Sequence, residues 1–400
     1  MSTAVAPVPL DHVFTFSYET YADAAQRGMM RPPDRILQTL MSSPRVGRLL
    51  VANPYRSFAS EAARRVRGRD DGFGRAAHRM LVQPVRISRA DATSRRRLVA
   101  AYRRYDESLR SAAEEMGLHA PRVITTNPLV AGFAPLAWAS TVTYFGRDDW
   151  LSSEARRAYW PAYRAAYRQM REAEVGVVAV SEQIIERIDP LGPHAVVPNG
   201  VEPAEWAGPV PPAPDWLAAI PGPRAIYVGT IDTRLDTEGV AALAAARPGV
   251  SFVLLGPLPD GDYIRPLRGI PNVHVHHGVG RAELVAALRN SDVSLLAHRR
   301  TPLTEAMSPL KVYEYLAAGL PVVSIDLPPV RDLGDRVLLA SSTAEMAPML
   351  DRALELGSAT EGERTDFVAR HSWASRHRVI LDMSCRSLML RRGEEFSSSV

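Results

Sequence analysis

Lys311 is the only lysine in the 400-residue chain; every other residue among its 48 lysines and arginines is an arginine. An ammonium is a compact point charge suited to a phosphate, whereas a guanidinium presents a fixed fork. Glu314, three positions on, shares the same helix face and can accept from the hydroxyls of a sugar. The surrounding run, Ser308-Pro309-Leu310-Lys311-Val312-Tyr313-Glu314-Tyr315-Leu316-Ala317-Ala318-Gly319, reads as one short helix. Ser308 suits the N-cap, Pro309 the first helical position, and Gly319 the left-handed residue after the last turn. A cation in the first turn opposes the helix dipole, and it becomes sensible where an anion binds at that terminus. Two readings stand side by side: a phosphate-binding helix N-terminus, or a surface pair between Lys311 and Glu314.

The next candidates sit at the ends of apolar runs that read as strands. Tyr227-Val228-Gly229-Thr230-Ile231-Asp232 ends one such run, and Gly229 allows close backbone approach there. Arg234 follows in the same loop, either as added charge at a diphosphate or as an ordinary surface arginine. His276-His277-Gly278 and His298-Arg299-Arg300 end two further runs. Ligands of open α/β sheets bind at the carboxyl ends of strands, so these residues converge on one expected site with Lys311. Asp148-Asp149-Trp150 ends a strand in the first half of the chain. The adjacent carboxylates read equally as a general base or as acidic residues favoured beside a helix N-terminus, with Ser152 and Ser153 next in line.

The elements that position these residues alternate throughout. Strands are expected at 12–17, 46–52, 122–126, 141–145, 176–180 and 195–198, with helices near 34–40, 90–116 and 152–173. The pattern restarts after a proline-rich stretch, with strands at 224–229, 251–256, 272–276, 292–297, 320–325 and 336–340. Strand–helix alternation predicts parallel sheets covered on both faces. The expected division is a first domain over 1–206, an extended linker over 207–223, a second domain over 224–371, a helix over 372–392 and a loose tail over 393–400. The arginine-rich stretch 57–79 reads as a solvated helix and loop. A sharper reading, a patch facing an anionic membrane with Phe73 and Met80 beside it, lacks a sustained apolar stripe.

Composition bounds the rest. The chain is 46% hydrophobic and 23% charged, with a net charge of +4, too mild to argue for nucleic acid. The single Cys385 excludes an intrachain disulfide and a cysteine metal cage. The histidines form no His-Glu-x-x-His pattern, so no metal site is expected. Phosphate-binding P-loop, GxGxxG and Gly-x-Ser-x-Gly motifs are missing. The start of the chain lacks the basic and apolar regions of a signal peptide, and no run is long enough to span a bilayer. A cytoplasmic protein is expected, with peripheral contact at the inner face of the membrane as a further expectation.

Three motifs together resemble a known family. Asn199-Gly200-Val201-Glu202 looks like the Asn-Gly-Val-Asp turn of GT-B glycosyltransferases, and Tyr227-Val228-Gly229-Thr230-Ile231 resembles the start of their donor domain. The run from Pro309 to Val323 is very similar to the donor-site helix of the family 4-like branch, which includes teichuronic-acid and exopolysaccharide glycosyltransferases. Residues 144–150 resemble the strand-end Asp-Asp-Trp of that branch. The resemblance implies two Rossmann-like domains facing across a cleft, with an acceptor on the first, a nucleotide sugar on the second, and a last helix crossing back to the first. It implies a metal-independent hexosyltransferase, with no cofactor beyond its nucleotide-sugar co-substrate. The donor is a UDP-sugar first, with GDP- and TDP-sugars behind. The acceptor is a hydroxyl on a glycan, a lipid-linked or a small molecule. By carry-over, Lys311 with Ser308, Pro309 and Leu310 holds the diphosphate. Glu314 binds the ribose, and Gly229, Thr230, Arg234 and His277 complete the donor site. Asp149 or Asp148 is the base if the transfer inverts. Met307 stands where many relatives carry an acidic residue. A nucleotide-sugar epimerase and a non-catalytic nucleotide-sugar-binding partner are the alternatives.

Overall fold

The computed structural model describes residues 8–66, 72–74, 76–87 and 92–397. Two compact units divide the chain: residues 1–198 with 377–400, and residues 199–376. The first unit holds strands β1 (Leu10–Thr15), β2 (Val46–Ala52), β3 (Arg56–Ser57), β4 (Arg79–Val82), β5 (Val85–Arg86), β6 (Arg122–Thr125), β7 (Thr141–Gly146), β8 (Gly176–Ala179) and β9 (His194–Val196). Seven of them form one sheet in the order β4-β2-β1-β6-β7-β8-β9, and β3 and β5 form a small pair. Every pairing in the large sheet is parallel. Its central strands are apolar on both faces, as a sheet covered by helices requires: Val13, Phe14, Val123, Ile124, Val177 and Val178 are fully buried.

The second unit holds β10 (Arg224–Val228), β11 (Ser251–Leu255), β12 (Val273–His276), β13 (Val293–Leu296), β14 (Val322–Ile325) and β15 (Val337–Ala340). They form a parallel sheet in the order β12-β11-β10-β13-β14-β15. The chain winds outward from β10 in one direction through β11 and β12. It then returns to β13 on the other side. The carboxyl ends of β10 and β13 therefore flank a topological switch point, where ligands bind in such sheets.

Several boundaries differ from expectation. Residues 207–223, read as a linker, fall inside the second unit. There Leu217 of the short Asp215–Ala218 helix is fully buried, and Arg289 and Asn290 donate to the carbonyls of Gly208, Pro209 and Pro211. Proline spacing signals extended backbone but not whether that backbone is free. The last helix, Trp373–Ser397, begins in the second unit and belongs to the first from His377 onward. Its residues are tied there by an Arg45–Asp382 ion pair at 2.8 Å and by the Thr141 hydroxyl donating to the Ser384 carbonyl at 2.9 Å. The tail expected to be loose from Gly393 is helical to Ser397. In the arginine-rich stretch, residues 67–71 and 75 lie outside the described residues. Phe73, placed beside a membrane-facing patch in the sharper reading, is instead buried edge-on against Tyr21 at 4.9 Å. Met80 is half-buried in β4, opposite Leu50 of β2. Among the described residues no helix is long and apolar enough to cross a membrane.

Candidate active site

The Lys311 helix spans Leu310–Ala318 and packs across the switch point of the second sheet. Its cap differs from expectation by one residue. Pro309 stands at the N-cap with φ −75° and ψ 97°, and no side chain caps the helix. Ser308 instead holds a distant turn. Its hydroxyl accepts the backbone N–H of Asn199 at 3.0 Å, and its carbonyl accepts the Asn199 side-chain amide at 2.6 Å. Gly319 closes the helix with φ +90°, the left-handed residue expected there.

Positions one turn apart on this helix share a face. Lys311 and Tyr315 use that spacing against β10. The Tyr315 hydroxyl accepts the N–H of Val228 at 2.8 Å, which fixes the helix to the end of the strand. One turn earlier, the Lys311 ammonium donates to the Tyr227 hydroxyl at 2.9 Å and reaches His298 Nε2 at 3.2 Å, 4.1 Å from the centre of the Tyr227 ring. It lies directly over Gly229, whose φ is +131°. A Cβ built there would stand 2.8 Å from Nζ. No carboxylate lies within ion-pair distance of Lys311 among the described residues, so the surface pair with Glu314 is not formed. Burial, and then Arg234, push the Lys311 pKa from 10.5 down to about 7, against the opposing pull of Asp232 and Glu314.

Arg234 lies in the same loop and closes on Asp232 through two bonds of 2.9 and 2.7 Å. Burial would raise the Asp232 pKa. The bonds from Arg234 and the charge of Lys311 outweigh it and hold the carboxyl below its ordinary value. Thr230 offers its carbonyl to the Tyr227 hydroxyl at 3.2 Å. His298 is 1% exposed, and burial together with Lys311 and Arg234 holds it well below an ordinary histidine pKa, hence neutral.

Glu314 is 7% exposed and makes no ion pair with Lys311 among the described residues. It pairs with Arg281, which also binds Glu205 at 2.6 and 2.9 Å and lies over the Trp206 ring at 5.3 Å. Sequence reasoning missed this Arg281 bridge, as well as Tyr227 and Tyr315. Tyr227 had left a signal, an aromatic hydroxyl in an otherwise apolar strand immediately before the loop glycine. His277 is not brought to Lys311. It is exposed after β12, two strands from β10, with its ring stacked at 4.2 Å on His276, which itself stacks at 4.1 Å on Trp216.

In the first unit, Asp148 and Asp149 follow β7 and separate clearly. Asp149 is 2% exposed; it accepts from the Leu151 N–H at 3.1 Å and the Ser152 hydroxyl, and pairs with Arg187 at 3.3 Å. Both of its oxygens are taken up in holding a turn. Asp148 is partly exposed beside Arg147 at 3.0 Å. A cavity of about 490 Å³ lies at the amino ends of β7 and β8, lined by Leu136, Thr141 and Glu174 among others, at the opposite end of the sheet from Asp148.

Comparison with known proteins agrees with this architecture. Sucrose-phosphate synthase from Thermosynechococcus elongatus superposes with a TM-score of 0.65 at 15% identity, over 98% of this chain and 100% of that one. An E. coli structure described as trehalose-6-phosphate bound with UDP-2-fluoro glucose superposes at 0.59 and 15% identity, over 96% and 98%. The fold is that of the GT-B glycosyltransferases. A family model described as glycosyl transferase-like matches residues 238–382. The chain is also 27% identical over 201 residues to a protein named as the teichuronic acid biosynthesis glycosyltransferase TuaH of Bacillus subtilis (strain 168), over 48% of this chain. The matched stretch spans about half the length of that relative, 49%.

Proposed function

We propose that this protein transfers a hexosyl group from a nucleoside-diphosphate sugar, with a UDP-sugar favoured, to a hydroxyl of a glycan, lipid-linked or small-molecule acceptor, without a metal. The observation that carries the reading is the half-buried Lys311 ammonium at the switch point between β10 and β13, over Gly229 and with no carboxylate within ion-pair distance among the described residues. Buried charges are ordinarily paired. A diphosphate at the Leu310–Ala318 N-terminus would supply the missing counter-charge, and first-turn N–H groups favour an anion there. As the glycosidic bond breaks, negative charge grows on the departing diphosphate, so a preorganised cation lowers the barrier more than it stabilises the ground state.

Glu314 is the ribose-binding candidate, and Arg281 supports it by holding its carboxylate in place. Gly229 and Thr230 present backbone beside Lys311. Arg234 would contribute by opening its pair with Asp232. If the transfer inverts, Asp148 is the better-placed base, because Asp149 is already committed to its turn. The solved structure whose description includes UDP-2-fluoro glucose supports a uridine donor.

The test is ligand-induced thermal stabilisation with UDP, GDP, TDP and ADP, on the wild type and on Lys311→Ala. A ligand that binds the native state raises its melting temperature by mass action. One diphosphate should stabilise the wild type and lose most of that effect in the variant. If none stabilises the wild type at millimolar concentration, the donor site is wrongly placed.

A further inference from the structure

We propose that Tyr227 and His298 are positioning residues for the Lys311 ammonium, and that a nucleoside diphosphate binding at this cluster takes up a proton from solvent. The inference rests on the donor-site reading above and adds to it two side chains and a coupled protonation.

The three groups form a closed triangle, with Lys311 Nζ to Tyr227 Oη at 2.9 Å, Nζ to His298 Nε2 at 3.2 Å, and Oη to Nε2 at 3.4 Å. The Tyr227 hydroxyl donates onward to the Thr230 carbonyl, so its lone pairs face the ammonium. His298 can accept at Nε2 only with its proton on Nδ1. That Nδ1 is buried with no hydrogen-bond partner among the described residues. What sets His298 apart is that its Nε2 faces the cation.

The charged groups facing this cluster are few among the described residues. From the loop after β10 come Asp232 and Arg234, closed on one another. From the Lys311 helix comes Glu314, engaged by Arg281. Tyr263 adds to the surroundings of Tyr227. Neither carboxylate reaches the ammonium, so the cation is held by two neutral acceptors and an aromatic face. Such a site suspends the lysine between its charged and neutral forms near pH 7. A bound diphosphate supplies negative charge and shifts the lysine to the ammonium. The balance is one amine, one proton from the medium and one diphosphate giving an ammonium–diphosphate pair, with no covalent change.

The experiment is calorimetric titration of UDP into the full chain at pH 8, in buffers of different ionisation enthalpy. About 0.9 proton taken up per UDP is expected for the wild type, the amine fraction of a group titrating near 7. The variants are His298→Leu, His298→Gln and Tyr227→Phe. His298→Leu should weaken UDP binding by about tenfold or more, the typical size of one hydrogen bond to a charged group, and should change the proton count. His298→Gln, which restores a neutral acceptor, should recover most of the affinity. Tyr227→Phe keeps the ring and loses only the hydroxyl, so it tests the triangle even if His298→Leu fails to fold. Wild-type affinity and an unchanged proton count in both His298→Leu and Tyr227→Phe would overturn the proposal while leaving the donor site standing. Absence of UDP, GDP, TDP and ADP binding to the wild type would overturn both.

Discussion

The backbone N–H of Asn199 donates to the hydroxyl of Ser308 at 3.0 Å, joining the turn at which the second unit begins to the residue before the N-cap of its Lys311 helix. The Asn199 side-chain amide adds a second bond to the Ser308 carbonyl at 2.6 Å. Both residues are buried. The turn is itself clamped: Val201 donates to the His371 carbonyl and receives the Trp373 N–H, each at 2.9 Å. The orientation of the Lys311 helix is thus set from 109 residues away in sequence.

Ser308→Ala removes the acceptor and leaves the buried Asn199 N–H without it. An unsatisfied buried donor costs about 1–3 kcal/mol, so thermal melting should fall by several degrees. Because the Pro309 N-cap has no side-chain bond to lose, helix capping itself is untouched. Calorimetry should show UDP affinity falling together with stability. A variant that melts like the wild type would show that the Asn199 turn is held by the carbonyl bond alone.

Gly229→Ala probes the space over which Lys311 lies. The φ of +131° strains any side-chain-bearing residue, at a cost of about 1–3 kcal/mol. The new Cβ would also stand 2.8 Å from Nζ and 3.2 Å from Cε. The end of a lysine can swing away, so the fold should survive and the ammonium should move. The expected outcome is a protein that melts a few degrees lower and binds diphosphate at least tenfold more weakly, read by calorimetry. Retained affinity would mean that the ammonium position over Gly229 is not the one that meets the ligand.

Much of this architecture was legible in the chain, because α/β alternation writes itself in short apolar runs bounded by glycine and proline. The Lys311 helix was legible for the same reason, with Pro309 and Gly319 marking its ends. What it touches was not. A hydrogen bond from Asn199 to Ser308, or a guanidinium of Arg281 spanning Glu205 and Glu314, depends on contacts between distant segments that no local pattern encodes. Residues 207–223 show the opposite failure. Their proline content signalled extended backbone, yet Asp215–Ala218 is helical, and only tertiary contacts decide that the segment is packed on the second unit. His277 was grouped with the site because it ends a strand on the same rim. Strand order, which sequence does not print, puts it two strands away.

Asp149 and Asp148 should respond to the same substitution in opposite ways. Asp149→Asn removes the charge facing Arg187 and weakens the acceptance of the Ser152 hydroxyl in a buried turn. It should lower the melting temperature, and activity only in proportion to the folded fraction. Asp148→Asn changes a partly exposed group whose ion pair with Arg147 contributes little to stability. It should leave melting within about a degree, since exposed pairs are worth about 0–1 kcal/mol. In an inverting transfer it should also reduce turnover by about 10²–10⁴-fold, the typical contribution of a general base. The measurement is melting and donor turnover side by side. Loss of turnover in Asp149→Asn at full stability would return the catalytic role to Asp149.

Acid should weaken the fold through buried histidines well before the carboxylates titrate. Burial, reinforced by Arg35, drives the His377 pKa down to about 3. Burial also drives His12 to about 4, with Arg122 and Arg45 adding to it and the Leu10 carbonyl and Asp11 opposing. Both folded pKa values lie below the unfolded value near 6.5, so the unfolded chain takes up these protons first as pH falls. Their contribution to stability is therefore complete above pH 6.5 and is lost progressively towards pH 3–4. At pH 5 the loss is about 2 kcal/mol per histidine. The histidine contribution holds steady between pH 7 and 8, where only the lowered Lys311 pKa makes stability rise with pH, and melting temperature should drop between pH 6.5 and 5. Replacing His377, which binds the Thr39 hydroxyl, by glutamine retains a neutral polar group that cannot titrate. The variant should start lower at pH 7 and show a visibly shallower fall on acidification. An equally steep fall in His377→Gln would assign the acid sensitivity to other groups.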